Sequence, residues 1–358
     1  MDLVQRLQGW AQARLLWIMV SAYVLAALAP QAGLAVRSLE LGRAGPVSFP
    51  LQSLLLGAII FAAGLTARAE RLPSLLRHPL PLLVGVAANA LLPTVLLAVG
   101  ALAARGWHNP EEAQCVLVGL ALVGAMPVAA GATVFAQSSE GNATLGLGLV
   151  VGSTLLSPLT IPLGLHLAGY LTTGGYAHEL HRTAGAAGSL FAVLGVVLPC
   201  ALGLAANRLL ALAGVPLRPA LPVIRLVNLA IAVLLSYTNA CGAMGRLISR
   251  PDWDFLVMAV AAAAVMCGSS FLSGWWLAAR LGMPRPDLIA VTYASGMNNS
   301  SAGAVVAATR MAAHPIVLTP ILAYSLLQKV LAGTIGALLG RPGARGCQGV
   351  RPGDTVTA

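Results

Sequence analysis

Charged positions are sparse along this chain, and they fall in bands. Between the bands run uncharged, mostly apolar stretches of twenty or more residues: Arg14 to Arg37, Arg43 to Arg68, Arg77 to Arg105, Glu112 to Glu140, Glu140 to Glu179, Arg182 to Arg208, Arg225 to Arg246, Asp254 to Arg280 and Asp287 to Arg310. A final stretch from Arg310 to Arg341 is interrupted only by Lys329. A bilayer core takes ~20 apolar residues per spanning helix. The pattern therefore predicts ten spanning helices, over residues 15–34, 46–67, 80–103, 113–137, 142–170, 186–207, 222–244, 254–280, 286–309 and 315–339. The expected fold class is an all-α polytopic membrane protein.

Composition agrees: 58% of residues are hydrophobic and 9% charged, against about 25% charged in a soluble domain. Ten spans put both termini on one side. Thirteen Lys and Arg residues then fall on the side of the termini and seven on the other. Excess Lys and Arg marks the cytoplasmic face, so both termini are expected in the cytoplasm and the chain in a bacterial-type inner membrane. The net charge of +10 reads as topology and lipid contact. Nucleic-acid binding needs a clustered basic patch or a known module, and the sequence has neither. The first apolar run is read as a retained helix rather than a cleaved signal. Connections are short. The tail 341–358, rich in Gly, Pro and Arg, is expected to be disordered. No feature fixes the oligomeric state, and a monomer fits.

Two spans are irregular. Span four holds "AMPVAAGATVFAQSSEGN", with Pro127 removing a backbone donor and Gly131 one turn on. Span nine holds "YASGMNNSSAG", where Gly296 precedes Met297, Asn298 and Asn299. In a chain of two five-span halves these spans correspond, and an odd number inverts the second half. Paired interruptions at corresponding positions point to a transporter binding site, because unwound backbone at membrane depth must be buried in protein or line a wet cavity.

Intramembrane polar residues supply the candidate chemistry. Ser295, Asn298 and Asn299 would share one face if that segment were helical. Interhelical hydrogen bonding is the plainer role for any single Asn, but the cluster beside a break favours a site. Asn89 lies mid-span and serves equally as ligand or helix cap. Thr133, Ser153, Thr154 and Ser157 are weak candidates for the same cavity. Lys329 is the chain's only lysine; it either snorkels to the interface or acts as a tethered cation. His166 reads as structural. His178 and His181 in "HELH" offer ligand types in a loop but no third partner. No metal beyond sodium and no organic cofactor is implied. All eleven carboxylates lie in loops, tails or span ends, which disfavours a proton relay.

Three stretches carry a resemblance. "GNATLGLGLVVGSTLLSPLTIPL" resembles the fifth-helix pattern of the bile acid:sodium symporter family. "SGMNNSSAGAVVAA" resembles its ninth-helix pattern, and "FAAGLTARAERLPSLLRHP" resembles the end of its second helix. The resemblance implies ten helices in two inverted five-helix repeats, with helices four and nine broken and crossing. It implies a panel domain over about 15–67 and 186–244 and a core domain over about 80–170 and 254–339. One family sodium site falls here on Ala132, Thr133, Gly146, Val150 and Ala294, of which only Thr133 keeps a side-chain oxygen. Ala294 stands where the family pattern has a glutamate. The other site falls on Asn89 and Asn298, with carbonyls of Ala294, Ser295 and Met297. Gly131, Thr133, Asn298, Asn299 and Ser300 are the candidate substrate contacts.

The expected function is secondary transport of a small organic anion, bile-acid-like, steroid or carboxylate, by alternating access. Sodium coupling through one weakened site is compatible with these residues. The alternatives are a sodium-independent transporter, a ligand-binding sensor, or an intramembrane enzyme. The last lacks mid-membrane carboxylates and a G-x-S-x-G motif.

Overall fold

The computed structural model describes residues 2–44, 47–67, 75, 79–185, 190–249 and 251–339. The chain begins with α1 (Asp2–Ala13), α2 (Leu15–Leu28) and α3 (Pro30–Arg37). The expected span 15–34 is thus interrupted at Ala29. Pro30 has no N–H and restricts the residue before it, so the helix stops and restarts. A short antiparallel hairpin follows, β1 (Glu40–Ala44) and β2 (Val47–Pro50). It departs from the all-helical expectation.

Next come α4 (Leu51–Leu65), α5 (Leu80–Ala104), α6 (Pro110–Gly124), α7 (Gly131–Ser138) and α8 (Ala143–Leu171). Then follow α9 (Gly174–Ala184), a π-helical turn Ala192–Val197 leading into α10 (Leu198–Leu212), and α11 (Leu221–Ser249). The chain closes with α12 (Trp253–Arg280), α13 (Arg285–Gly296), α14 (Ser300–Arg310) and α15 (Leu318–Leu339). Six helical segments among the described residues are long and apolar enough to cross a membrane: Leu80–Ala104, Ala143–Leu171, Ala192–Leu212, Arg218–Ala243, Trp253–Arg280 and Pro315–Leu339. A seventh results if α1 and α2, bent by 72°, count together. Large apolar side chains on these helices point outward, Leu159 at 71% and Val265 at 69% exposure among them. An aqueous protein would bury such a surface; lipid covers it here.

Two groups of helices are visible in the packing. In one, α4 lies along α10, and α11 lies along α2, α3 and α4. Gly64 and Gly203 make the α4–α10 contact close: a Cβ on Gly64 would overlap the Cys200 carbonyl, and one on Gly203 the Phe61 carbonyl. Small residues let membrane helices approach in this way. In the other group α5, α6, α8, α12, α13 and α15 pack together. Its two halves share an order. A long helix, a broken pair and a long helix (α5, α6–α7, α8) recur as α12, α13–α14 and α15. The seam between the groups is formed by α11 and α4 against α14, α11 and α2 against α15, and the π-turn against α8.

The "HELH" stretch is helical, correcting its expected place in a loop. It belongs to α9, whose Tyr176, Leu180, Thr183 and Ala184 are buried at helical spacing. His181 packs on Gly169 and lies 2.9 Å, Nδ1 to Nδ1, from His166 of α8. The tail 341–358 lies outside the described residues.

Candidate functional site

Both interruptions take the same form. Helix α6 ends at Gly124, and Pro127 keeps the chain from continuing as helix. Helix restarts at Gly131. Helix α13 ends at Gly296, Met297 turns extended, and Asn299 opens α14 by accepting from the Ala302 N–H at 3.2 Å. Ser295, Asn298 and Asn299 therefore do not lie on one helical face, because the helix has ended between them.

The two unwound segments meet. Val128 pairs with Asn298 as an antiparallel bridge. The Ala129 N–H donates to the Met297 carbonyl at 2.8 Å, and the Asn299 N–H to the Pro127 carbonyl at 2.9 Å. Each break thus satisfies the backbone that the other exposes. The C-terminal ends of α6 and α13 and the N-terminal ends of α7 and α14 converge on this crossing. Helix ends carry partial charges, positive at the N-termini.

Amides complete the crossing. Asn298, fully buried, accepts from Asn89 Nδ2 at 2.8 Å and donates to the Val123 and Gly124 carbonyls at 3.3 and 3.4 Å. These are among the last carbonyls of α6, whose helical i+4 donors the break removes; the Val123 carbonyl also accepts from the Met126 N–H at 3.1 Å. Ser153 of α8 accepts from the Val128 N–H at 3.1 Å. On the other side, Tyr324 of α15 donates to the Gly296 carbonyl at 3.3 Å, and the Cys267 thiol of α12 lies 3.7 Å from it. Gln328 of α15 donates to Ser300 Oγ at 3.1 Å.

Comparison with known proteins bears on what such a crossing serves. The model of the Sodium Bile acid symporter family matches residues 53–247, more than half of the chain. The chain belongs to the sodium bile acid symporter family. It is a multi-pass membrane transporter and not an enzyme. It is similar to the "Uncharacterized protein YbaS" of Bacillus subtilis (strain 168), 26% identical over 290 residues, which cover 79% of this chain and 86% of that protein. It is also similar to the "Uncharacterized sodium-dependent transporter YocS" of the same organism, 28% identical over 258 residues, covering 71% of this chain and 73% of that one.

Within this family member the structure gathers some of the expected residues and separates others. Asn89, Asn298, Ser153 and the Met297 carbonyl sit together at the crossing. Asn299 caps α14 and Ser300 reaches α15. Gly131 starts α7, where a Cβ would lie 3.6 Å from Met297 Cε. Thr133 lies against Gly146, where a Cβ would come within 3.6 Å of it. The Ser295 hydroxyl turns back to the Val291 carbonyl at 2.9 Å and packs on Gly274 of α12. It does not reach the amides. Ser157 is buried with no hydrogen-bond partner among the described residues. Lys329 donates to the Ser325 carbonyl at 2.9 Å and to Ser325 Oγ at 3.2 Å, one turn back on its own helix. Tyr23 of α2 lies beside Ser325, which puts Lys329 near the seam between the helix groups.

Gln328, Tyr324 and Cys267 were not singled out from the sequence. Gln328 is adjacent to Lys329 and faces elsewhere on the helix. A glutamine inside an apolar run was the signal that could have found it.

Proposed function

We propose that the chain is a secondary transporter of a small organic anion, bile-acid-like, steroid or carboxylate. It crosses a bacterial-type inner membrane ten times, with both termini in the cytoplasm. The ten crossings are the six long segments, the α2–α3 stretch, α4, and the broken pairs α6–α7 and α13–α14. They form two inverted repeats of five. The α4–α10–α11 group, with α2 and α3, is the panel domain; the group around the crossing is the core. Alternating access follows from rocking of the core against the panel along the α4/α11/α2 seam.

The observation that carries this reading is the hydrogen-bonded crossing of the two breaks, bordered by two helix N-termini. Such ends receive anionic groups in transporters built from broken helices. Asn299, Ser300, Thr133 and Gly131 border the place where the anion is received. Lys329 is a tethered cation at the same seam.

Sodium is the ion to test, and the name of the relative YocS supports testing it. Of the two sodium positions in the family resemblance, the one at Ala132, Thr133, Gly146, Val150 and Ala294 retains one side-chain oxygen and is assigned no ion. The other, at Asn89 and Asn298 with backbone carbonyls of Ala294, Ser295 and Met297, keeps amide oxygens. Asn89 and Asn298 already bond each other there, so sodium must compete with an existing hydrogen bond. A sodium-independent transporter is accordingly the second reading.

Purified protein in proteoliposomes, offered labelled organic anions with sodium or potassium outside, tests both. Uptake of any such anion upholds the transporter. Faster uptake in sodium, lost in Asn298→Ala, upholds coupling. Equal uptake in both salts, abolished in Lys329→Ala, upholds the second reading. Saturable binding without flux would replace both by a sensor.

A further inference from the structure

Away from the crossing, one imidazole and two carboxylates converge from the α5–α6 turn and the starts of α6 and α12. His108 lies in the turn between α5 and α6, Glu112 in the first turn of α6, and Asp254 at the start of α12. One ligand atom from each lies within 4.8 Å of the other two. His108 Nε2 is 2.9 Å from Asp254 Oδ2. Two ligand atoms of a tetrahedral zinc ion are about 3.3 Å apart, given bonds of ~2.0–2.1 Å. Side-chain adjustments of up to about 1.5 Å therefore bring the three atoms around a metal-sized space.

The neighbouring groups hold these ligands in place. Trp107 Nε1 donates to Glu112 Oε2 at 2.9 Å, and Asn109 Nδ2 donates to Glu112 Oε1. Each carboxylate oxygen keeps a second lone pair. Outer donors that orient a ligating carboxylate are a regular part of metal sites. The Trp107 and His108 rings lie 4.9 Å apart, which restricts the imidazole. Asp252 caps α12 by accepting from the Phe255 N–H at 3.1 Å. Neither His108 nor Asp254 is enclosed, with 62% and 54% of their side chains exposed, so an ion reaches them from solution.

We propose that His108, Glu112 and Asp254 bind a zinc-class divalent cation, with water in the remaining position, and so clip the α5–α6 turn to the start of α12. A neutral imidazole selects zinc, cobalt or nickel over magnesium and calcium, which prefer all-oxygen shells. The two carboxylates offset the charge of the dication. The clip fixes the outer end of α6, the half-helix that carries the first break. The proposal stands apart from the transport reading and from which anion is carried.

The test uses the full-length protein in detergent, stripped with a chelator. Zinc is titrated by calorimetry at pH 7.5, and cobalt is added to a parallel sample for its visible ligand-field bands. Saturable binding of one zinc per chain, cobalt bands of a four- or five-coordinate site, and a raised melting temperature are expected. Magnesium should do none of these. His108→Ala and Asp254→Asn should each weaken zinc binding at least tenfold and remove the cobalt bands. Glu112→Gln guards against a misfolded His108 variant and should weaken binding similarly. The His166–His181 pair is the competing zinc site, so a His166→Ala/His181→Ala variant should bind zinc as the parent does. Zinc binding lost in that double variant and kept in His108→Ala would overturn the assignment, as would absence of saturable binding or an equal response to magnesium.

Discussion

The two breaks at the crossing do the same job with different means. The first, between α6 and α7, has no polar side chain of its own at the meeting point: Met126, Pro127, Val128 and Ala129 are apolar. It borrows partners, Ser153 for the Val128 N–H, Asn298 for the Val123 and Gly124 carbonyls, and the facing backbone for the rest. The second, between α13 and α14, brings two amides of its own that serve both breaks, and borrows Tyr324 and Cys267 for the Gly296 carbonyl. Asn298 reaches across to α6 and Asn89, while Asn299 turns inward to start its own helix. Load is therefore unequal: the crossing should depend far more on the second break than on the first.

The sharpest way to break that comparison is Asn298→Ala. It removes the acceptor of Asn89 and the side-chain donor to the Gly124 carbonyl in one step, while the Val123 carbonyl keeps the Met126 N–H. Each orphaned buried group costs about 1–3 kcal/mol in water-soluble folds, while membrane helices average nearer 0.6 per hydrogen bond. A loss of about 2–4 kcal/mol is expected, together with loss of transport. Thermal unfolding in detergent reads the first and proteoliposome uptake the second. A melting temperature equal to that of the parent would mean that the backbone pairing alone holds the crossing.

Ser153→Ala attacks the first break instead. One backbone N–H loses its acceptor, and Ser153 itself returns only a hydrogen bond to the Val150 carbonyl on its own helix. About 1 kcal/mol is expected, less than half the Asn298→Ala effect. Equal effects from the two variants would erase the asymmetry between the breaks. Asn299 gives a finer test. Asn299→Ala should cost about 0.5–1 kcal/mol as a lost helix cap, whereas Asn299→Asp keeps the cap. If an anion is received near the α14 N-terminus, Asn299→Asp should keep its melting temperature and still lose most of its transport. Retained transport would move the anion away from that helix end.

The same asymmetry decided what could be read without coordinates. The second break declared itself, since Asn298 and Asn299 inside an apolar run have no bland composition to hide in. The first was visible only through Pro127 and Gly131, and its partner Ser153 looked like any membrane serine. Helix α5, with Asn89, was placed within a residue of its observed end, because hydrophobic length fixes a long span well. The hairpin at 40–50, α9 and the interruption at Ala29 were missed. The hairpin and α9 lie where apolar stretches end and local hydrogen bonding takes over from burial, whereas the interruption at Ala29 lies inside an apolar run and is set by Pro30. The contact of Gln328 with Ser300 and that of Tyr324 with Gly296 depend on how α15 rotates against the crossing, which no pattern along one helix encodes. The His108, Glu112 and Asp254 cluster was hidden for a simpler reason: Asp254 is far from the other two in sequence.

Ser295 marks the lower end of the scale. Sequence spacing placed it with Asn298 and Asn299; the break places it on the other side of α13. Its hydroxyl bonds a carbonyl of its own helix, and that Val291 carbonyl lies in a helix interior where the backbone already provides a donor. Ser295→Ala keeps the Cβ that packs on Gly274 and leaves no group stranded. A change within about 0.5 kcal/mol follows, read as a melting temperature within error of the parent. Any sodium response should be unchanged too, since the variant leaves the Ser295 carbonyl in place. A clear drop in stability, or a sodium response that disappears, would show the hydroxyl turning toward the amides in a working state. Ser295 would then belong to the site after all, and the division between the supplying break and the borrowing one would need redrawing around three polar residues rather than two.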